Sequence, residues 1–490
     1  MVLPIGVARH LRTDERMKCG GLIERICAHA SSSSYRTACK NFNLDYHREE
    51  AGCAIPLMTF SDIVVNEGKR LVNALRGHQK QVLTGFGFGE DGLWPNDKEF
   101  PDELCNQEME YIEIDPNVIL SKAGYSPLPA IKFKQGEYSE PETGLHIRKR
   151  QRRGSRMLVS DEQRQRWLED YVLYINTQKD RNPYATIRHP FRVEKYAESV
   201  LNIFIDGNLV GEQAEHRIPG GKPEQREEHT TIKHIDIRIE SDDGRRYNIT
   251  SVDLDYAYQR LLAFLLKTGL IKRYFHFFID GEKILKKAID KYFSHWHYTI
   301  FLDDFHIEEK IKTQTSLGIK GRRVACPWEE PEYYVKGKNK GQIKKQPMTS
   351  LSRTYASVLK TMIFYGNTKE AIEYIRHIPE DDIQSKDALE GLVTYLEERE
   401  SMLTCYALRK HAGLKNSSNA SELCNEMAIS SRQKVDDRMH WREDGSAALA
   451  AITVLYMNCA AKQWFEHHEI AFEPYYVEPT RKREYKKYVA

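Results

Sequence analysis

No stretch of about 18 consecutive apolar residues occurs in this chain, which excludes a membrane-spanning helix. A signal-peptide core is missing as well. The chain reaches Arg9 and Arg12 after a very short apolar start, so a cytoplasmic protein is expected. Excess charge of one sign is also lacking: 73 Lys+Arg stand against 71 Asp+Glu, a net charge of +2. The totals therefore do not announce a nucleic-acid binder. Nine cysteines are present but no Cys-x-x-Cys pair, which fits reduced thiols rather than a disulfide framework. Cys19, Cys27, Cys39 and Cys53, with His29 and His47, are spaced too irregularly for paired zinc ligands, so buried or idle thiols are expected.

What is present is length and pattern. A chain of 490 residues, 40% hydrophobic and 29% charged, has room for two to four domains with real cores. Basic residues cluster at Arg148–Arg156, Lys336–Lys345 and Arg481–Lys487, and each cluster can engage phosphates. For any one cluster alone, a solubilising loop is the plainer reading. Residues 34–75 read as two short helices around a turn. Ser34-Tyr35-Arg36 opens the first, and Thr59 is expected to cap the second, whose apolar stripe is Ile63, Val64, Leu71 and Leu75. The pattern suits a DNA-binding helix-turn-helix and equally an ordinary helical hairpin. Residues 83–147 carry no clear pattern, and a helix is expected over Ser160–Gln178.

The central region is more legible. Val200–Asp206 is a near-continuous apolar strand. Ile235, Ile237 and Ile239 alternate with Asp236, Arg238 and Glu240, which predicts a strand with one face buried. Ser241-Asp242-Asp243-Gly244 supplies a turn, and Tyr247–Val252 returns as a third strand. Helical spacing over Leu254–Leu270, a strand over Arg273–Asp280, a helix over Glu282–Phe293 and a strand over Tyr298–Asp303 follow. The order β-β-β-α-β-α-β is that of a ribonuclease-H-like mixed sheet. From His306 to about Gly413 the period turns helical, predicting an all-helical insertion. Further helices are expected around Ser421–Gln433 and Gly445–His467, with a loose tail from Glu473.

The tetrapeptide Phe-Ile-Asp-Gly occurs twice, at Phe204–Gly207 and Phe278–Gly281, each time closing an apolar run. In the proposed strand order the first and fourth strands are neighbours, so Asp206 and Asp280 would meet. Two such carboxylates repel unless a cation neutralises them, which points to Mg2+ or Mn2+ and to two-metal phosphoryl transfer. The plainer alternative is that each Asp-Gly only starts a turn. A third acid is needed. Glu422 and Glu426 lie one helical turn apart, and spacing alone does not choose between them. Asp303 and Asp304 compete, and Asp303-x-x-His306 reads either as a metal-ligand pair or as structural support.

Four blocks resemble bacterial insertion-sequence transposases of the Asp-Asp-Glu class, in the broad group that includes Mutator-like enzymes. They are Ser34-Tyr35-Arg36 with Met58-Thr59-Phe60; Phe204–Gly207 with Ile279-Asp280-Gly281; Asp303-Asp304-Phe305-His306; and a C-terminal segment. That last segment runs through Glu422-Leu423-Cys424-Asn425, Arg432-Gln433-Lys434, Met439-His440-Trp441 and Gly445-Ser446. The resemblance covers about residues 195–465 and places the family's glutamate on Glu422. Asp436-Asp437 stands where a glycine is expected, and Cys424 replaces a small residue. The resemblance implies catalytic and metal-ligating roles for Asp206, Asp280 and Glu422, support from Asp303, His306 and Asn425, and about two Mg2+ or Mn2+ ions. Arg36, Thr59, Arg432, Lys434 and Trp441 would contact double-stranded DNA, namely element terminal repeats and target. The protein would act in the bacterial cytoplasm at the nucleoid, as a dimer or larger on DNA. The rival readings are a nuclease without strand transfer and a catalytically idle DNA-binding protein. The expected organisation is an N-terminal region over 1–147, with the helix-turn-helix at 34–75, and a basic linker and helix over 148–195. The catalytic core would span 196–306 and 414–468, interrupted by the insertion at 307–413, with a basic tail over 469–490.

Overall fold

A computed structural model describes residues 20–122, 137–139, 146–148, 161–178, 182–195, 200–213, 231–241, 244–417, 425–434 and 441–476. The chain divides into two compact units. Residues 1–108, 198–298 and 418–490 form the first, and residues 109–197 and 299–417 the second.

The first unit opens with helices α1 (Gly20–Ser32), α2 (Tyr35–Asp45) and α3 (Leu57–Gly85). Ser34 caps α2 by accepting the Thr37 N–H. Thr59 does not cap α3. Pro56 holds that position, its fixed φ suiting a helix start, and Thr59 lies exposed in the first turn. The helix then runs for 29 residues, well past the expected end near residue 75. Phe60, Ile63, Val64, Leu71, Leu75, Val82 and Leu83 bury one face along its whole length. The second helix of the candidate helix-turn-helix is thus a core helix of its unit.

The sheet comes next: β1 (Val200–Gly211), β2 (Thr231–Ser241), β3 (Arg245–Ser251), helix α4 (Leu254–Lys267), β4 (Tyr274–Ile279) and helix α5 (Lys283–Tyr292); strand β5 (Tyr298–Leu302) lies, from Thr299 on, in the second unit. Helix α6 (Glu443–Met457) and the short strand β6 (Tyr475–Tyr476) complete the sheet of the first unit. Within this unit the strand order is β6-β3-β2-β1-β4, with β1 antiparallel to β2 and parallel to β4. The architecture is mixed α/β, and its element order is the one the hydrophobic periods predict. The segment expected to be loose from Glu473 instead begins with an edge strand, Tyr475 pairing with Arg246. Among the described residues no helix is long and apolar enough to cross a membrane.

Side-chain parity divides the sheet, because successive residues of a strand point to opposite faces. Odd positions make a continuous apolar face: Ile203 and Ile205 on β1, Ile237 and Ile239 on β2, Ile249 on β3, Phe277 and Ile279 on β4, all buried. Helices α4 and α5 cover that face. Tyr247 stacks on Phe264 at 4.1 Å, and Tyr258 donates to the Leu285 carbonyl at 3.1 Å. Even positions make a face rich in polar groups, including Asp206, Asn208, His234, Asp236, Arg238, Glu240, Asn248 and Thr250. The expectation that β2 buries only one face fails here. Asp236, Arg238 and Glu240 are buried as well, since helix α6 and the segment 425–433 lie over them. Gly68 lets α3 and α6 approach closely, for a Cβ there would lie 2.4 Å from the Ala448 carbonyl oxygen. Glu67, buried beside it, accepts the Trp464 indole N–H at 2.9 Å and an Arg70 N–H at 2.9 Å.

In the second unit, Tyr111–Ile114 pairs antiparallel with Phe191–Glu194. Helix Asp161–Thr177 packs on that ladder through Leu168, Val172 and Ile175. Helices Asp304–Gly318, Leu351–Phe364, Thr368–Arg376, Lys386–Glu398 and Tyr406–His411 match the helical period. The expectation of an all-helical segment fails over Arg323–Ser350, which forms two nested antiparallel ladders, Arg323–Ala325 with Met348–Ser350 and Glu332–Tyr333 with Ile343–Lys345. Strands of two or three residues, the inner pair wholly solvent-exposed, impose no alternating pattern that periodicity can register.

Candidate active site on the polar face of the sheet

The doubled Phe-Ile-Asp-Gly becomes one row across the sheet. In the parallel pair β1–β4, Phe204 lies opposite Phe278, and the two rings stack at 4.9 Å. Two residues further on come Asp206, still within β1, and Asp280, the first residue past the end of β4. Asp206 is not at a strand tip as expected, because β1 continues to Gly211 in unbroken register with β2. It is β4 that ends at Ile279, so Asp206 sits where the central strand loses its parallel neighbour and opens toward solvent.

The two glycines serve different ends. Gly281 has φ +88°, which turns the chain sharply out of β4 while Asp280 Oδ1 accepts the Glu282 N–H at 2.9 Å. At Gly207, a Cβ would lie 2.6 Å from the Lys233 side chain, which crosses here to pair with Glu282. Asp206 Oδ1 accepts the Gly207 N–H at 2.8 Å.

Sequence periodicity missed one member of the row. Asp236 lies opposite Asp206 in the β1–β2 ladder, and Thr250 lies opposite Asp236 in β2–β3. Asp236 is fully buried, and burial, reinforced by the Asp206 charge, pushes its carboxyl up to about 7; the Thr250 hydroxyl and the Lys434 charge oppose this. Read as one half of a simple alternation, it resembles any solvent-facing strand residue. Only the β1–β2 register reveals it, and the connection between those strands is too long for a turn type to set that register.

Helix α6 and the segment before it close over the row. Asn425 donates to Asp206 Oδ2, while its own Oδ1 is buried with no hydrogen-bond partner among the described residues. Asn425 leads into a π-turn, Glu426–Ser430, followed by one α-turn, Ser431–Gln433. A π-turn carries an extra residue and rotates the next residues relative to a plain α-helix. Arg432 consequently faces inward, not toward a cleft. It is buried and donates to the Ala30 carbonyl of α1, which corrects the expectation of a DNA contact there. Lys434 is exposed and donates to Asn208, whose partner across the ladder is His234. Trp441 is half-buried: its indole donates to the Gln433 carbonyl at 3.1 Å and its ring packs on Tyr35 at 5.7 Å, a packing role rather than an open surface. Arg36 and Thr59 are both exposed.

Glu422 lies outside the described residues, as do Cys424, Asp436 and Asp437. Glu426, the other glutamate of that helix, is exposed. Asp303 and His306 belong to the second unit. Asp303 is the N-cap of helix Asp304–Gly318, its Oδ1 accepting the Phe305 N–H at 2.8 Å, which supplies the structural reason for that acid. Burial, with the Asp303 charge adding to it, pushes Asp304 up to about 7. Among the described residues no three His, Cys, Asp or Glu side chains already form a metal cage. Asp206 and Asp280 nevertheless carry hard oxygen donors of the kind Mg2+ prefers, and the Asn425 side chain that meets Asp206 holds a further buried oxygen, Oδ1.

The same face makes a pH prediction. His234 Nε2 lies 2.7 Å from Ser446 Oγ, and that hydroxyl lies 2.5 Å from Gln433 Oε1. If Ser446 donates to Gln433, it accepts from His234, which fixes the Nε2–H tautomer and leaves the buried Nδ1 without a partner. Burial, aided by the Lys434 charge, lowers the imidazole to about 4. A folded-state value below the unfolded one of about 6.5 gives stability that is complete above pH 6.5 and lost as pH falls toward 4, about 3 kcal/mol in all. Asp236 acts in the opposite sense, so the comparison needed is between variants. Between pH 7 and 4.5, His234→Asn is expected to change less unfavourably in stability than the parent, by about 2 kcal/mol in urea denaturation. Parallel pH profiles for the two proteins would sink the assignment.

Comparison with protein-family models, with curated protein sequences and with solved structures gave no match.

Proposed function

We propose that the protein is a metal-dependent DNA transposase of the Asp-Asp-Glu class built on a ribonuclease-H-like core. The observation that supports this is the parallel pairing of Phe204 with Phe278, which sets the two Phe-Ile-Asp-Gly segments on adjacent strands, with Asp206 in β1 and Asp280 just past the end of β4. The strand order β3-β2-β1-β4, with the first three strands antiparallel and β4 parallel to β1, supports the ribonuclease-H-like reading. Asp206, Asp280 and, by the resemblance, Glu422 would hold the metal ions. When bound, two divalent ions activate the attacking water or 3′-hydroxyl and stabilise the leaving oxygen.

The chain's own residues then have separable tasks. Asp206 and Asp280 bring negative charge to one spot, Asn425 orients Asp206 through its amide, and Lys434 offers a cation at the rim for a phosphate. Asp236, opposite Asp206 on β2, has a carboxyl raised to about 7 by burial and so carries only part of a charge near neutral pH. The protein would work in the bacterial cytoplasm, at least as a dimer on DNA, since two element ends must be held together.

The test is a reaction between linear DNA carrying the ends of the flanking element, a target plasmid and Mg2+ or Mn2+. Joined product that disappears with EDTA is expected. Cutting without joining would reassign the chain to nucleases on the same core, and neither cutting nor joining with either metal would overturn the reading.

A further inference from the structure

The segment that broke the helical expectation has a surface of its own. The outer ladder, Arg323–Ala325 with Met348–Ser350, is fixed to the second unit: Cys326 N–H bonds the Pro347 carbonyl at 2.8 Å, and Leu351 N–H, at the start of its helix, bonds the Arg322 carbonyl at 2.9 Å. From it projects a ribbon in which Glu332 pairs with Lys345 and Tyr333 with Ile343. Tyr334 bonds Gln342 and Gly341 through its backbone at 3.0 and 2.9 Å, and Gly337 and Gly341, both at φ +87°, close the tip.

Every residue from Glu332 to Lys345 is exposed. Tyr333, Tyr334, Val335 and Ile343 therefore present apolar surface to water, Val335 at 76% exposure and Tyr334 at 40%. A two-stranded ribbon is marginal in water, and exposed aromatic side chains along it mark a contact surface. Residues 333–345 also carry five lysines and no acid. Such a charge selects a polyanion, and the paired aromatics select one with accessible ring faces. A duplex hides its base faces by stacking, whereas unpaired bases offer them.

We propose that this ribbon binds unpaired DNA, with Tyr333 and Tyr334, which alternate to its two sides, stacking on bases and Lys336, Lys338 and Lys340 meeting the phosphates. The choice of DNA rests on the function proposed above, where ends must be melted or distorted to be cut and joined. The ribbon itself is remote in sequence from the candidate acids, so its test needs no catalysis.

Binding of the full chain to a fluorescein-labelled 20-nucleotide oligo(dT) and to a 20-base-pair duplex is measured by anisotropy in EDTA. Tyr333→Ala with Tyr334→Ala is expected to weaken oligo(dT) binding by at least about tenfold, as losing two stacked bases implies, and duplex binding by less than about threefold. The combined Lys336→Gln, Lys338→Gln and Lys340→Gln variant is expected to reduce the salt slope of log K by about 2. Both variants alter only exposed groups and should melt like the parent. Parental oligo(dT) affinity in the tyrosine variant overturns the proposal. So does loss of binding to anionic phospholipid vesicles with oligo(dT) binding intact, which would make the ribbon a membrane contact. If the ribbon result holds while end joining fails, the transposase reading falls alone; if joining occurs and the tyrosine variant binds normally, the ribbon proposal falls alone.

Discussion

Asp206→Asn and Asp280→Asn are each expected to lower metal-dependent DNA cutting and joining at least about a thousandfold while leaving DNA binding within a few-fold of the parent. The amide keeps the shape of the carboxylate and can still occupy each local bond, Gly207 N–H for one and Glu282 N–H for the other. What it removes is the charge that holds the cation. The fold should not suffer, because Asp206 faces the buried Asp236 and relief of repulsion favours the folded state. Melting temperatures equal to or above the parent's are expected without added metal. Asn425→Ala should cost less, about 10- to 100-fold, since its amide acts through Asp206 rather than on substrate. The checks are plasmid cutting and strand joining followed on gels, with binding measured separately. If either Asp→Asn variant keeps activity within tenfold of the parent, the doubled Asp-Gly reverts to a pair of turn starters.

Truncating either partner of the Arg409–Glu194 pair is expected to destabilise the second unit by about 3–5 kcal/mol. Arg409 Nη1 lies 2.6 Å from Glu194 Oε1, and both side chains are almost wholly buried, at 2% and 1% exposure. The guanidinium also donates to the Lys415 carbonyl at 3.1 and 3.3 Å and lies 3.8 Å from the Phe301 ring centroid. It therefore joins helix Tyr406–His411 to strand Phe191–Glu194, the inner face of one core cluster. Arg409→Ala strands a buried carboxylate, and Glu194→Ala strands a buried cation. Replacing both with Met removes both charges together and should cost much less than the sum of the single changes. Urea denaturation of the two singles and the double closes the cycle. Additive losses would show that the groups stabilise the unit independently and not as a pair.

The central elements were legible because their signals are local. Ile235-x-Ile237-x-Ile239, the apolar run at Val200 and the helical spacing of Tyr258, Leu261, Leu262 and Leu265 each state a period that one element alone satisfies. The pairing of the first and fourth strands followed from that element order. Thr59 was a local misreading: Pro56, with a φ suited to a helix start, takes the N-cap position three residues earlier. Two features were not legible, for one reason: each depends on what packs against an element. Arg432 looked like a phosphate ligand because a π-turn, invisible in composition, rotates it onto α1. Asp236 looked solvated because alternation says which residues share a face, not whether that face is covered.

The sequence by itself determined the mixed α/β order, the two aspartates, and the basic-aromatic content of Tyr333–Lys345. Tertiary structure alone decided three things: that both faces of the sheet are buried, that a buried carboxyl raised to about 7 lies opposite Asp206, and that the ribbon projects into solvent. Periodicity is written in the covalent chain, residue by residue. Register and burial are set by partners distant along it, and their energies exist only once those partners have come together.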